Sequence, residues 1–191
     1  MPEKRPEVLD FLLTRRSRPA KTLGDRAPER TEMERLLTAA SRTPDHGKLV
    51  PWRFVVLADG AGRERLARLA ARRLAEIGHD PARIDKNSRA FLQGGVIVAV
   101  ISAPVASEKI PRWEQEFAAA GVCLSLLNAA LAAGWGANWL TGPLARDRAF
   151  LAEAFGAAEG ETVAGFVHIG DATMTPPDRD RPDIAAITTW A

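Results

Sequence analysis

The amino-acid sequence predicts a single α+β domain, and three observations carry that prediction. Apolar residues recur at helical spacing in some segments and as short β-branched runs in others, and the two kinds interleave along the chain. Neither an internal repeat nor a Ser/Gly linker interrupts the 191 residues. With 46% hydrophobic residues, the chain can fill one full core at a length typical of one domain.

The elements follow in order. Pro6 to Arg16 reads as a helix with Val8, Leu9, Phe11, Leu12 and Leu13 on one broad face. Residues 18–30, with Pro19, Gly24 and Pro28, form a connecting loop. Thr31 and Glu34 have the T-x-x-E spacing of a capping box, and Met33, Leu36, Leu37 and Ala40 then recur along a second helix. That helix should run to about Thr43, because Pro44 drives the residue before it out of the α region. Trp52 to Ala58 is a short strand, with Val55 and Val56 beside Phe54 and Leu57. Ala61 to Ile77 is an arginine-rich amphipathic helix ending near Gly78, and Ile84 to Leu92 is another.

Val96 to Ser102 is a continuous apolar run, the pattern of a strand covered on both faces. The long helix from Pro111 to about Ala133 contains an uncharged stretch, Phe117 to Leu144. A membrane span needs ~20 predominantly apolar residues. Here most are Ala and Gly, and Ser125 and Asn128 interrupt the rest, so the helix reads as the centre of a soluble core. Ala137 to Thr141 is a short strand, Leu144 to Phe155 a helix, and Thr162 to Gly170 a strand. The proline-containing tail from Ala172 reads as extended.

Composition narrows the function classes. A net charge of +2, with acids and bases alternating along the helices, demands neither a nucleic acid nor a membrane surface. The opening MPEKRPEV has no apolar run, so no signal peptide is expected. Together with the single cysteine, Cys123, this points to the cytoplasm. Three histidines and one cysteine at wide spacing give no metal signature. There is no GxxxxGK[ST], and GWGANW lacks the third glycine of a dinucleotide fingerprint. A phosphorylated cofactor would have to be held by side-chain cations.

Two segments carry candidate chemistry. Arg15, Arg16 and Ser17 close the first helix, and guanidinium forks beside a hydroxyl match phosphate oxygens. The competing explanation is two arginines complementing the helix dipole. Pro44 to Phe54, PDHGKLVPWRF, crowds Asp45, His46 and Lys48 onto a loop between rigid elements. His46 could equally be a loop histidine bonded to Asp45. Trp52 and Trp135 read as packing, and Trp139 is balanced between packing and ligand contact. Cys123 reads as an inert buried thiol, His168 as structural and His79 as a surface residue.

Taken together, RRS at 15–17, SRTPDHGKLVPWRFVVL at 41–57 and PRWEQEFAAAGVCLSLLNAALAAGWGANWLTG at 111–142 resemble the FMN-dependent NAD(P)H nitroreductase family, in its short, YdjA-type branch. The likeness runs from about Pro6 to the FVHIG strand. It implies a three-layer α-β-α sandwich around a mixed central β-sheet, an intertwined homodimer with FMN at the subunit interface, and one domain spanning 1–191. It further implies electrons passing from NADH or NADPH through flavin N5 to a nitroaromatic, quinone or similar acceptor, in ping-pong order. By motif match, Arg15, Arg16 and Ser17 bind the phosphate and ribityl end. Arg42 and His46 reach the same FMN from the other chain, and Trp139, Leu140 and Thr141, with Gly142 next, lie along the isoalloxazine. Positive charge near N1 and O2 would come from Arg42, His46 or Lys48.

Arg179 and Arg181 fall where larger relatives supply phosphate cations, in a tail too divergent to carry them over. Val50 replaces a common polar amide before PW, and Pro19 falls where larger relatives often have a lysine near the ring. Two other classes compete. One is a non-catalytic flavin or tetrapyrrole binder on the same fold. The other is a hydrolase using Ser17, His46 and an aspartate, which lacks the G-x-S-x-G elbow.

Overall fold

A computed structural model describes residues 3–191; residues 1 and 2, included in the expected 1–191 domain, lie outside them. Strands β1 (Trp52–Leu57), β2 (Val96–Ser102), β3 (Gly136–Leu140) and β4 (Thr162–Gly170) form one sheet in the order β1-β2-β4-β3. Around it lie helices α1 (Pro6–Thr14), α2 (Arg30–Ala40), α3 (Gly60–Glu76), α4 (Pro81–Arg89), α5 (Arg112–Ala132) and α6 (Arg148–Phe155).

Alternation along β2 builds the layers. Val96, Val98 and Val100 pack with α2 and with Val122, Leu126 and Ala130 of α5. Ile97, Ala99 and Ile101 pack on the other side, with Leu66, Ala70 and Leu74 of α3 and with Phe150 and Leu151 of α6. All seven β2 residues are buried, which is why the segment is apolar throughout. Each fully buried valine or isoleucine contributes roughly 1.5–3 kcal/mol. The architecture is the three-layer α-β-α sandwich.

The sheet differs from the mixed one expected, because every ladder is antiparallel. Two helices, α3 and α4, separate β1 from β2 and return the chain to the end it left. A single helix, α5, about 31 Å long at 1.5 Å per residue, carries the chain from β2 to β3, so these two strands point the same way. They never pair, because β4 lies between them and opposes both.

Several boundaries move for local reasons. The Thr31–Glu34 capping box does not form: α2 starts at Arg30, its N-cap is Glu29 with no side-chain bond, and Thr31 lies inside the first turn. Glu34 instead accepts from Arg30 Nε at 2.9 Å, one turn away. The helix stops at Ala40, and Arg42 N and Thr43 N tighten back onto Ala39 O and Ala40 O. Helix α4 begins before Ile84, because Asp80 caps Arg83 N and Pro81 occupies the first turn. The segment 144–155 divides into a 3-10 turn at Pro143–Arg146 and α6, which Asp147 caps through Phe150 N and Gly156 ends at φ 58°. The tail is irregular except for a bridge between Leu23 and Ala172 and a 3-10 turn at Ala185–Ile187.

Helix α5 is long and apolar enough to cross a membrane by length and composition, yet its inner face packs between α2 and the sheet. There Cys123 is fully buried, and burial pushes its thiol up to about 12, the setting of an inert thiol. Its outer face leaves Trp113, Phe117 and Leu124 exposed. Helix α1 has no buried residue, and Leu9 and Leu13 stand open to solvent, as do Ile187 and Trp190 of the tail.

Candidate functional site

Helix α1 ends where Arg15 turns extended, at ψ 144°, and the next residues run along the edge of the sheet. Arg18 N donates to Ala137 O at 2.8 Å, and Asn138 Nδ2 donates to Arg18 O at 2.7 Å, so the RRS segment is pinned to edge strand β3. The tail lies over it. The bridge of Leu23 to Ala172 and the bond from Arg18 Nη1 to Met174 O, at 2.8 Å, guide residues 172–181 across Arg15 to Ser17.

The result is a cradle of about 200 Å³ lined by Arg15, Arg16, Arg179 and Arg181, with Ser17 and a single carboxylate, Asp178. Asp178 lies 3.7 Å from Arg16 and 2.9 Å from Arg181. Burial first, then the nearby Arg181 and Arg179, hold the Arg15 guanidinium below its ordinary value. Arg15 Nη2 donates to Ser17 Oγ at 2.9 Å and Arg16 Nη1 to Pro176 O at 3.0 Å, so neither serves the last carbonyls of α1 as the dipole explanation requires. The Nε atoms of both arginines are buried without a partner. Such donors, surrounded by like charge, suit an anion with several oxygens.

Next to the cradle, and sharing Pro19 with it, lies a cavity of about 650 Å³. Trp139, Leu140, Thr141 and Gly142 form one wall, and Phe91 and Phe166 give it an apolar floor. Lys21 and Lys86 add two cations that the sequence reading did not single out. Nothing in their spacing distinguishes them from solvated surface lysines. His168 also borders this space. It is buried, its Nδ1 donates to Gln93 O at 3.1 Å, and burial lowers its pKa to about 4, so the ring is neutral near pH 7.

Trp139 resolves toward packing. Its indole lies over Gly165, where any Cβ would collide with the ring, and its Nε1 donates to Ala164 O at 3.3 Å. Only glycine at 165 lets the indole lie this close to β4, on the α5 side of the sheet.

The Pro44 to Pro51 loop stands apart. Within one chain, neither Arg42 nor His46 borders the cradle or the cavity. His46 Nδ1 pairs not with Asp45 but with Glu114 Oε1, at 2.6 Å, on the first turn of α5. Asp45 Oδ2 accepts from Val50 N at 2.7 Å instead. The loop is tight: Gly47, Lys48 and Val50 all have positive φ, and for a β-branched valine that is strained. Arg42 is exposed and makes no side-chain hydrogen bond or ion pair among the described residues.

A cationic cradle thus adjoins an apolar-lined cavity on one three-layer α-β-α domain. The Nitroreductase family profile matches residues 12–171, and the chain belongs to that family. It is 34% identical over 164 residues to Escherichia coli YdjA, provisionally named an NAD(P)H nitroreductase, covering 86% of this chain and 87% of that one. A Haemophilus influenzae protein with a similar provisional name is 32% identical over 166 residues, covering 86% and 88%. Among solved structures, a nitroreductase-like family protein from Bacillus cereus aligns over 100% of this chain and 99% of its own, with TM-score 0.80 and 22% identity. A Bacteroides fragilis nitroreductase with bound FMN aligns over 97% and 99%, with TM-score 0.73 and 20% identity. At those identities the structural likeness concerns the fold.

Proposed function

We propose that this chain is an FMN-dependent oxidoreductase that takes electrons from NADH or NADPH and passes them to a nitroaromatic, quinone or similar acceptor, as a cytoplasmic homodimer. The observation that carries the reading is that a four-arginine cradle and an apolar-lined cavity of about 650 Å³ lie on either side of Pro19, which lines both. The names of the Escherichia coli relative and of the FMN-bound Bacteroides fragilis structure support it.

The residues fit the group. Arg15, Arg16 and Ser17 hold its phosphate, joined by Arg179 and Arg181, and the partnerless Nε atoms of Arg15 and Arg16 gain acceptors. The segment Trp139 to Thr141 lies along the ring, with Gly142 at φ 81° turning the chain away beside it. Arg42 and His46 of a second chain complete the site. When bound, FMN supplies two-electron transfer between donor and acceptor in turn. The chain contributes binding, orientation and a cavity that limits water.

Helix α1, which buries no residue and leaves Val8, Leu9, Leu12 and Leu13 exposed within two turns, supports the homodimer, since an unpartnered apolar helix face marks an interface. The test is reconstitution with FMN, followed by an absorption spectrum and anaerobic addition of NADH or NADPH. A bound flavin bleached by either nucleotide is expected. Absence of a flavin band overturns the redox reading, and a flavin that binds without bleaching favours a non-catalytic binder. Light scattering should give twice the chain mass, and a flavin-loaded monomer would overturn the shared site.

A further inference from the structure

Helix α5 and Ile110 just ahead of it hold Thr43 and the Pro44 to Pro51 loop at three points. Thr43 Oγ1 lies 2.8 Å from Ser125 Oγ, over Gly121, which has room for the threonine methyl only because it lacks a Cβ. Gly47 sits against Ile110, just ahead of the helix, where a Cβ would collide with the isoleucine side chain. The third grip is polar: His46 Nδ1 to Glu114 Oε1 at 2.6 Å. The nearer carboxylate in sequence, Asp45, is occupied by Val50 N, which leaves Glu114 as the acid that meets the imidazole.

We propose that Glu114 is a positioning residue that fixes the tautomer and direction of His46. An ionised carboxylate only accepts hydrogen bonds, so the proton of the neutral ring sits on Nδ1 and Nε2 is left as a bare acceptor. Imidazole side chains free in water favour the opposite tautomer, with the proton on Nε2, so the contact reverses the default. Glu114 is the more shielded partner, with its side chain 33% exposed against 60% for His46. Trp113 and Phe117, the residue before Glu114 and the one three positions after it on α5, are exposed apolar side chains. Resting on the reading in which His46 meets the flavin of a second chain, Nε2 accepts from a donor of the cofactor, either the ring imide N–H or a ribityl hydroxyl.

The test has an arm that needs no cofactor. Long-range ¹H–¹⁵N correlation of the flavin-free protein, above the pH at which its histidines titrate, should show His46 protonated on Nδ1. Glu114→Ala should return it to Nε2. Glu114→Gln, whose amide oxygen still accepts, should keep the Nδ1 proton. In FMN titrations, Glu114→Ala and His46→Ala should each weaken binding about fivefold to tenfold. The double variant should be no weaker than His46→Ala alone, since the two act as one unit.

Glu114→Gln should stay within about twofold of the parent, on the same hydrogen-bond scale. An Nδ1 proton that survives Glu114→Ala, or losses that add in the double variant, overturns the assignment. A merely structural role would lower the thermal midpoint without moving the tautomer, and that result overturns it too. If the parent protein binds no FMN, the flavin reading fails, and the tautomer measurement alone decides the role of Glu114.

Discussion

Arg15, Arg16, Arg179 and Arg181 face one another around a single carboxylate, whereas Thr43, Asp45 and His46 each find a partner within their own chain. The arginine cradle therefore stores repulsion that an anion relieves, and its binding strength comes from charge. In the Pro44 to Pro51 loop, Asp45 and the Nδ1 of His46 are already paired, and the tension lies in the backbone, at Lys48 and Val50. On the proposed reading, the first region would supply affinity for the flavin phosphate and the second a shape prepared for the ring.

The sharpest way to break this contrast is to remove charge from the cradle. Arg15→Ala combined with Arg16→Ala should weaken FMN binding on the order of 100-fold or more, since a charge-assisted bond is worth ~1.5–3 kcal/mol. The thermal midpoint of the flavin-free protein should hold or rise, because repulsion is relieved. A fall of many degrees would mean that the arginines serve the fold instead.

Acid probes whether either region governs stability, and His168 should outweigh both. Its folded pKa of about 4 lies below the ordinary 6.5, so the unfolded chain takes up the proton first. Stability is complete above pH 6.5 and falls as pH drops toward 4, by about 3 kcal/mol at 1.36 kcal/mol per unit. Urea melts at pH 7 and pH 4.5 should show this fall, and His168→Phe should flatten it; an unchanged slope assigns the acid response elsewhere.

Within the loop, Val50→Gly should stabilise the flavin-free protein by roughly 1 kcal/mol, because a left-handed backbone costs a β-branched residue more than glycine loses in chain entropy. Calorimetry showing destabilisation would mean that the positive φ carries no strain. The smallest effect belongs to Asp178→Asn. Removing the cradle's own anion should tighten FMN binding by roughly threefold, a modest gain because the acid is exposed. Weaker binding would show that Asp178 orients the arginines rather than competing with the phosphate.

Much of this was legible in the sequence where a signal was local and uncontested. The β2 bounds came from a continuous apolar run, and α5 from its length and its glycine stop. Arg15 to Ser17 announced themselves by adjacency. The Thr31–Glu34 box misled because Arg30, four residues before Glu34, offered a competing partner. Arg179 and Arg181 reach the cradle on a tail without periodicity, and no spacing rule connects them to residues about 160 positions earlier. Lys21 and Lys86 stayed hidden because only the tertiary fold turns them toward the cavity. The same holds for Glu114, whose partner His46 lies 68 positions away.

The place of β4 bears on how the chain is born. The last of the four strands in chain order, β4, occupies the middle of the sheet, between β2 and β3. During synthesis β2 emerges early, apolar on both faces, with β1 to pair on one edge and nothing on the other until residue 170 has left the ribosome. Only the β1–β2 ladder can form in chain order, and closure of the sheet waits on long-range pairing, a slow step. The nascent chain is most prone to aggregation in that interval, and there a chaperone would matter most.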